Sequence, residues 1–321
     1  MKSNLCIQYY FLQKASIFQN LKISPLVNVN IESNFEENKY KFELLEEDIN
    51  SNFFSKTFLD TTETFDSVGF RKFVIKPILE LGNSKRSKTY LFSIGFNKEI
   101  NDKNILNNSY FIGKTNINIL KKTISILGKY HYENVWKGNH SIISKTNWIF
   151  KKEIGDTIKY ISNLKMNFNY KSELPSYLFL NYFGNHFQWE NNFNAVKKIE
   201  INTELNLKKL KSLISFRLQN ISNYIYLDEN SLPRQTEENI TAGNIIIKKQ
   251  LGIKQIKLYS GLGIQFSTSN LIRVPNFYTR NNLVYEFKLR TVPFNIGSNF
   301  SFFNKYIGLN YNPAIRHYHI G

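Results

Sequence analysis

The sequence predicts an all-β protein, an antiparallel up-and-down transmembrane β-barrel, and three observations carry that prediction. Residues 157–171 alternate between apolar and polar types with Ile161 as the one exception, which is the repeat of a strand with one apolar and one polar face. This run exceeds both the roughly 5–6 residues of an ordinary strand and the about 9–11 that a tilted strand needs to cross a bilayer. Similar alternation recurs along the chain, and 15% of the residues are aromatic, a class that favours strands and membrane interfaces.

The alternating runs follow one another in chain order, and each predicts a strand. The predicted strands contain residues 27–32, 90–96, 117–119, 124–132, 157–171, 187–193, 199–208, 214–219, 256–266, 283–290 and 294–302. Turn-forming residues lie between runs at 101–104, 155–156 and 228–233. Because helical periodicity is scarce, we predict a meander in which sheet neighbours are close in sequence.

We treat residues 1–321 as a single β-barrel domain. At about 20–25 residues for each strand and its turn, this length predicts about 12–16 strands. A barrel of that size is wide enough for a lumen unless a loop fills it.

The formal net charge is +17, and basic residues are scattered along the chain. A nucleic-acid-binding surface usually clusters its charge, so we expect no nucleic-acid partner. The abundance of Asn, Lys, Ile, Phe and Tyr is also what an AT-rich genome produces.

Two β architectures compete. In a soluble sandwich the strands are short and the apolar faces pack against each other, whereas in a membrane barrel the apolar face meets lipid and the polar face lines a wet lumen. Strand length and the polarity of the second face favour the barrel. The alternative is a soluble or periplasmic antiparallel β protein that binds a polymer or a partner.

If the barrel forms, polar residues of two runs are candidates to line its lumen. They are Lys159, Asn163, Lys165, Asn167, Asn169, Lys257 and Gln265. Their lysines predict a lining that favours anions over cations. The competing interpretation places these lysines at the headgroup level, where they pair with lipid phosphate.

The sequence predicts no enzyme, no cofactor and no metal site. It has one Cys and five scattered His, which exclude the usual zinc spacings. Glycine-rich phosphate loops and hydrolase motifs are missing from it. No apolar run is long enough for a helical span, and no signal peptide is visible at the start of this chain.

Three short segments carry a resemblance to a known family. They are residues 220–228 (NISNYIYLD) with 232–235 (LPRQ), 274–285 (VPNFYTRNNLVY) and 310–314 (NYNPA). In order and spacing they resemble motifs of the putative porin family of Bacteroidetes, most clearly over residues 164–321.

The resemblance implies an outer-membrane β-barrel, either a passive channel or a barrel of undefined cargo, with outer-membrane lipid as its surroundings. Combined with the lysines of the polar face, it leads us to expect a passive diffusion channel for small polar or anionic solutes. Family members begin with a signal peptide and continue beyond the last motif, so we expect a chain without the family's N-terminal and C-terminal portions. A non-functional barrel fragment is therefore a third interpretation. The solute, the gating, the oligomeric state and the loop topology stay open.

Overall fold

The structure is a computed structural model and describes residues 6–24, 27–44, 54, 56–60, 64–82, 89–101, 105–119, 122–154 and 157–321. The strands, in chain order, are β1 (Cys6–Ser24), β2 (Val27–Leu44), β3 (Thr64–Gly82), β4 (Thr89–Asn101), β5 (Ile105–Ile119), β6 (Lys122–His131), β7 (His140–Ile154), β8 (Thr157–Glu173), β9 (Asn181–Phe183), β10 (Gln188–Glu190), β11 (Val196–Leu207), β12 (Ser212–Ser222), β13 (Ile225–Leu227), β14 (Pro233–Gln235), β15 (Ile240–Ile253), β16 (Ile256–Ser267), β17 (Phe277–Leu289), β18 (Val292–Phe303), β19 (Asn310–Asn312) and β20 (His317–His319). The described helical elements are α1 (Tyr177–Leu180) and a 3₁₀ turn, Lys208–Leu210. Neither is long and apolar enough to cross a membrane.

Fourteen antiparallel strands form one sheet, in the order β1 to β8, β11, β12, and β15 to β18. Every pair of neighbours in the sheet follows directly along the chain, apart from the small hairpins that lie outside it. The all-β meander and the strand number are therefore as predicted. Within the described residues no pairing joins β1 to β18, so both are edge strands of this sheet.

The strands of the main sheet are long. They run from 10 residues in β6 to 19 in β1 and β3, and the alternating run at 157–171 lies inside the 17-residue β8. Each exceeds or matches the length that a tilted membrane strand needs.

The alternation of β8 is interrupted at one residue, Ile161. Tyr160 pairs with Lys151 and Ser162 pairs with Phe150, so β8 holds one more residue than β7 at this point. The residue that breaks the sequence pattern therefore sits at a β-bulge-like register shift, where one extra residue changes which face the following side chains occupy.

Alternation did not predict β1, β3, β7 and β15. In β7 and β15 apolar residues occupy consecutive positions, Ile142 with Ile143 and residues 245–247, which hides the two-residue period. The reason is that both faces of these strands carry some apolar side chains.

The predicted strand at 187–193 is wrong. Only Gln188–Glu190 is extended, and it pairs with β9 in a small hairpin outside the main sheet. The aromatic residues of this segment pack on each other, with the rings of Tyr182 and Trp189 stacked at 4.8 Å, instead of forming one face of a long strand.

The connections differ at the two ends of the sheet. At one end they are short, as at 208–211, 254–255 and 290–291, and at the other they are long, as at 132–139, 174–195, 223–239 and 268–276. We call the second end the loop end. Most of the buried apolar side chains lie there, including those of Tyr182, Leu227, Ile240 and Ala314.

Candidate pore surface and loop end

One face of the sheet exposes large apolar side chains, and we call it the apolar face. Strand pairing aligns Met166, Thr203, Phe216, Ile245 and Ile264 in one row across β8, β11, β12, β15 and β16. All but Thr203 belong to the exposed large hydrophobic residues, with Ile264 56% accessible. A contiguous apolar surface of this kind is unfavourable in water and is the normal outer surface of a membrane barrel.

The opposite face, which we call the polar face, holds the predicted site residues whose side chains are described. Asn163, Lys165, Asn167 and Asn169 alternate along β8 with the apolar-face residues. Lys257 and Gln265 lie on the same face of β16. Whether this face lines a closed lumen stays a prediction.

Lys159 is the exception among the predicted residues. Its backbone pairs with Lys152, and its side chain lies outside the described residues. Because the extra residue at Ile161 falls between Lys159 and Asn163, simple alternation does not extend from one to the other.

Strand pairing brings two of the predicted residues, Asn167 and Gln265, into a single polar row. The row runs through Asn167, Asn202, Arg217, Asn244 and Gln265. Within it, Arg217 Nε donates a hydrogen bond to Asn202 Oδ1 at 2.7 Å. Amide groups and a guanidinium therefore form a continuous row of polar side chains across five strands.

Carboxylates on the polar face between β8 and β17 each have a lysine beside them. The pairs are Lys171–Glu173 at 3.9 Å, Lys198–Glu200 at 2.6 Å, Lys165–Glu204 at 2.9 Å, and Lys257–Glu286. Two of the predicted lumen lysines, Lys165 and Lys257, are thus partly neutralised by a neighbouring carboxylate.

Other cations on the polar face have no carboxylate within salt-bridge distance among the described residues. They include Lys114, Lys145, Arg217, Lys248 and Arg280, and all five of these are exposed. Among the described side chains, this face therefore carries a net positive charge. The apolar face of β8, β12, β16 and β17 holds no described Lys, Arg, Asp or Glu side chain.

Sequence reasoning missed all five of these cations as candidates. Arg217 and Lys248 belong to strands whose register relative to β8 could not be read from alternation alone. The usable signal was that Arg217 stands among apolar neighbours in the run at 214–219, where it marks the second face.

At the loop end, the motif residues that resemble the family hold loops in place. Asp228 Oδ1 accepts hydrogen bonds from the N–H groups of Asn230 and Leu232 at 3.0 and 2.9 Å, and Asp228 Oδ2 accepts one from Arg234 Nε at 2.9 Å. These contacts fold the motif onto itself, as Asx turns do. Gln235 links this loop to the preceding one, because its Nε2 donates to the carbonyl of Asn194 at 2.8 Å.

The later NYNPA motif extends the same cluster. Asn312 Nδ2 donates to Ser231 Oγ at 2.9 Å, and Asn312 Oδ1 accepts from the N–H of Ala314, which is fully buried. The ring of His317 stacks on that of Phe179 at 5.2 Å, and burial lowers the pKa of His317. These residues serve loop packing, and among the described residues no group of three or more His, Cys, Asp or Glu could hold a metal ion.

Solved structures with a similar fold are outer-membrane β-barrels. A variant of the ferric enterobactin receptor PfeA from Pseudomonas aeruginosa aligns with a TM-score of 0.61 at 9% identity, over 87% of this chain and 47% of that chain. The copper transporter OprC aligns with a TM-score of 0.54 at 11% identity, over 86% of this chain and 49% of that one. The chain therefore spans about half the length of these proteins, and the likeness shows the fold alone.

No curated protein sequence matches the chain. The family described as Putative porin, in contrast, matches residues 2–321. Together with the barrel-like antiparallel sheet, this match points to a porin-like barrel of the outer membrane. The chain belongs to the putative porin family.

Proposed function

We propose that this protein is a passive diffusion channel of the outer membrane that admits small polar solutes and prefers anions. The observation that carries the proposal is the separation of the two faces, one apolar and exposed, the other polar with several cations that have no carboxylate partner among the described residues. The apolar face would meet lipid, and the polar face would line the water-filled passage.

The preference for anions follows from the charges on the polar face. Lys114, Lys145, Arg217, Lys248 and Arg280 are exposed there without carboxylate partners among the described residues. Cations that line a narrow aqueous passage raise the local concentration of anions and lower their electrostatic barrier to passage.

Lipid and orientation form the second part of the proposal. On the apolar face, Lys122 lies at the start of β6 and Lys249 lies close to the 254–255 turn, where their long side chains could reach lipid headgroups.

We assign the loop end to the cell exterior, because outer-membrane barrels have short periplasmic turns and longer external loops. Closure of the sheet belongs to the proposal as well, because an open edge in lipid leaves backbone groups unpaired.

Selectivity is tested by the reversal potential across a salt gradient in a planar bilayer. We expect an anion-selective value for the unchanged protein and a shift toward cation selectivity for K248Q. The matched control is K249Q, because Lys249 is the next residue and lies on the apolar face, so its removal should leave the reversal potential unchanged. Cation preference in the unchanged protein would contradict the proposal.

Membrane insertion is tested separately. A closed barrel should stay in carbonate-washed membranes and should migrate differently in SDS gels before and after boiling. The soluble β alternative predicts extraction by carbonate and no effect of boiling, so these two measurements separate the two functions.

A further inference from the structure

The hairpin formed by β9 and β10 leaves the main sheet between β8 and β11 and ends in a tight tip. The N–H of Gly184 donates to the carbonyl of Phe187 at 2.9 Å, which leaves Asn185 and His186 as the two residues at the turn. We call residues 181–190 the inner hairpin. Its tip contacts neither β8 nor β11 in the described hydrogen bonds; it contacts the start of β3 and the segment before it.

Asn185 is fixed at this contact by each of its polar atoms. Its backbone N–H donates to Asp66 Oδ1 at 2.8 Å, and its Oδ1 accepts from the N–H groups of Leu59 and Asp60 at 3.0 and 2.9 Å. Its Nδ2 donates to the carbonyl of Asp60 and to Thr64 Oγ1, both at 2.9 Å. Only 2% of Asn185 is accessible.

His186 adds an aromatic contact beside that network. Its ring stacks on Phe54 at 3.9 Å with an interplanar angle of 2°, and its Nε2 lies 2.8 Å from Thr64 Oγ1. Phe54 packs edge-on against Phe42 and Phe187, and only 1% of Phe42 is accessible. The tip is therefore held by a small apolar core as well as by hydrogen bonds.

The contact joins strands that are far apart in the sheet. β4, β5, β6 and β7 lie between β3 and β8, so at about 4.8 Å per strand the two are about 24 Å apart along the sheet. Asp66 lies on the face of β3 opposite to Phe73 and Ile75, which expose their side chains on the apolar face. The inner hairpin therefore crosses the polar face and does not lie over the lipid-facing surface.

We propose that the inner hairpin is the constriction that sets the size limit of the channel, and that Asn185 is the residue that positions it. This inference rests on the proposed channel function. A segment that spans the polar face and is packed at its far end reduces the open cross-section, and the positions of its side chains decide which solutes pass.

A substitution at Gly184 is a second, independent way to disturb the contact between the hairpin tip and β3. A Cβ at this position would lie 2.8 Å from Asp66 Oδ2 and 2.9 Å from the Tyr182 ring. A larger residue here would therefore push the tip away from β3 without removing any hydrogen-bonding side chain.

The principal test shortens the tip. Replacing residues 184–187 by Asn-Gly keeps the Phe183–Gln188 pair next to a favourable two-residue turn but removes Asn185 and His186, the residues that bond to Thr64 and Asp66. We expect single-channel conductance to rise at least about twofold, because conductance follows the narrowest cross-section of a pore. In liposome swelling, uncharged sugars from a pentose to a tetrasaccharide should enter faster, with the largest gain for the largest sugars.

Point variants show whether a change in the size limit comes from the position of the inner hairpin or from a loss of barrel folding. N185A and G184V should change the size limit in the same direction as the shortened tip, while heat-modifiable migration shows that the barrel is intact. The matched control is N312A, which removes another buried loop-end asparagine that binds Ser231 and does not contact β3. N312A should leave the size limit unchanged.

The outcomes separate this inference from the channel function. If the unchanged protein conducts and the shortened variant has the same conductance and size limit, the constriction is refuted and the channel stands. If only the shortened variant conducts, the constriction is supported and passive diffusion through the unchanged protein is refuted. Failure of both proteins to conduct refutes both proposals.

Discussion

The Lys165 ammonium lies 2.9 Å from the Glu204 carboxylate, directly across the pairing of β8 with β11. Half of the Lys165 side chain and 39% of the Glu204 side chain are accessible. The pair therefore cancels one positive charge on the polar face, and its contribution to folding should be below about 1 kcal/mol because such pairs are screened by water.

Removing the carboxylate should make the channel more anion-selective. In E204Q the charge of Lys165 is no longer offset, so we expect the reversal potential in a salt gradient to move further toward the anion value. The free energy of unfolding should change by less than about 1 kcal/mol.

The control for this prediction is the double variant K165Q/E204Q. It has the same net charge as the unchanged pair, so its reversal potential should return to the original value. An unchanged reversal potential in E204Q would show that this part of the polar face does not line the ion path.

Two neighbouring isoleucines test which face meets lipid. Ile247 lies on the apolar face with 42% of its surface accessible, and Ile246 lies on the polar face opposite Ser215. A lysine on the lipid side near the middle of a bilayer costs about 2–4 kcal/mol, so I247K should lose about that much stability in urea unfolding from lipid vesicles.

The matched variant I246K places the same charge one residue earlier, on the wet face. We expect a loss below about 1 kcal/mol, because a lumen-facing lysine stays hydrated. Equal losses in both variants would show that the apolar face is not in contact with lipid.

Strands with strict alternation could be predicted from the sequence, because one of their faces carries mainly apolar side chains and the other mainly polar ones. In β11, residues 199–207 alternate throughout, and the structure places Ile199, Ile201 and Leu205 on the apolar face. In β15, Ile246 points to the polar face between two apolar-face isoleucines, so the pattern was hidden although the strand is 14 residues long.

The contacts at the inner hairpin could not be predicted from the sequence. Asn185 and Asp66 are 119 residues apart, and four strands of the sheet lie between β3 and β8. No local pattern encodes such a contact. The aromatic residues at 187–193 predicted a strand, whereas Phe187 and Trp189 pack on their neighbours in a small hairpin at the loop end.

Two glycines on one face of β16 should respond differently to a methyl group. The Tyr278 ring lies over Gly263, in the space that a Cβ would occupy, while a Cβ at Gly261 would meet only ordinary contacts, the nearest 3.5 Å away. G263A should therefore destabilise the barrel by about 1–3 kcal/mol in urea unfolding, because the ring must move.

G261A is the control, and it should be neutral or stabilising by up to about 1 kcal/mol, because alanine costs less backbone entropy than glycine in a strand. In a Y278A background the difference between the two substitutions should disappear. A G263A protein as stable as G261A would contradict the placement of the Tyr278 ring.

The loop end should loosen in acid because of His317. Burial lowers the pKa of His317 below the ordinary value of about 6.5, and its Nδ1 donates to the carbonyl of Arg316 at 2.8 Å. The unfolded chain therefore takes up this proton more readily than the folded one. The stability that neutral His317 provides is present above about pH 6.5 and is lost as pH falls through the lower folded pKa.

Amide hydrogen exchange of residues 304–321 should accordingly speed up between pH 7.5 and 5, after correction for the intrinsic rate. H317F keeps a ring against Phe179 and cannot titrate, so its protection should stay constant across this range, whereas H319F should retain the acid response. An acid response of equal size in H317F would assign the effect to another group.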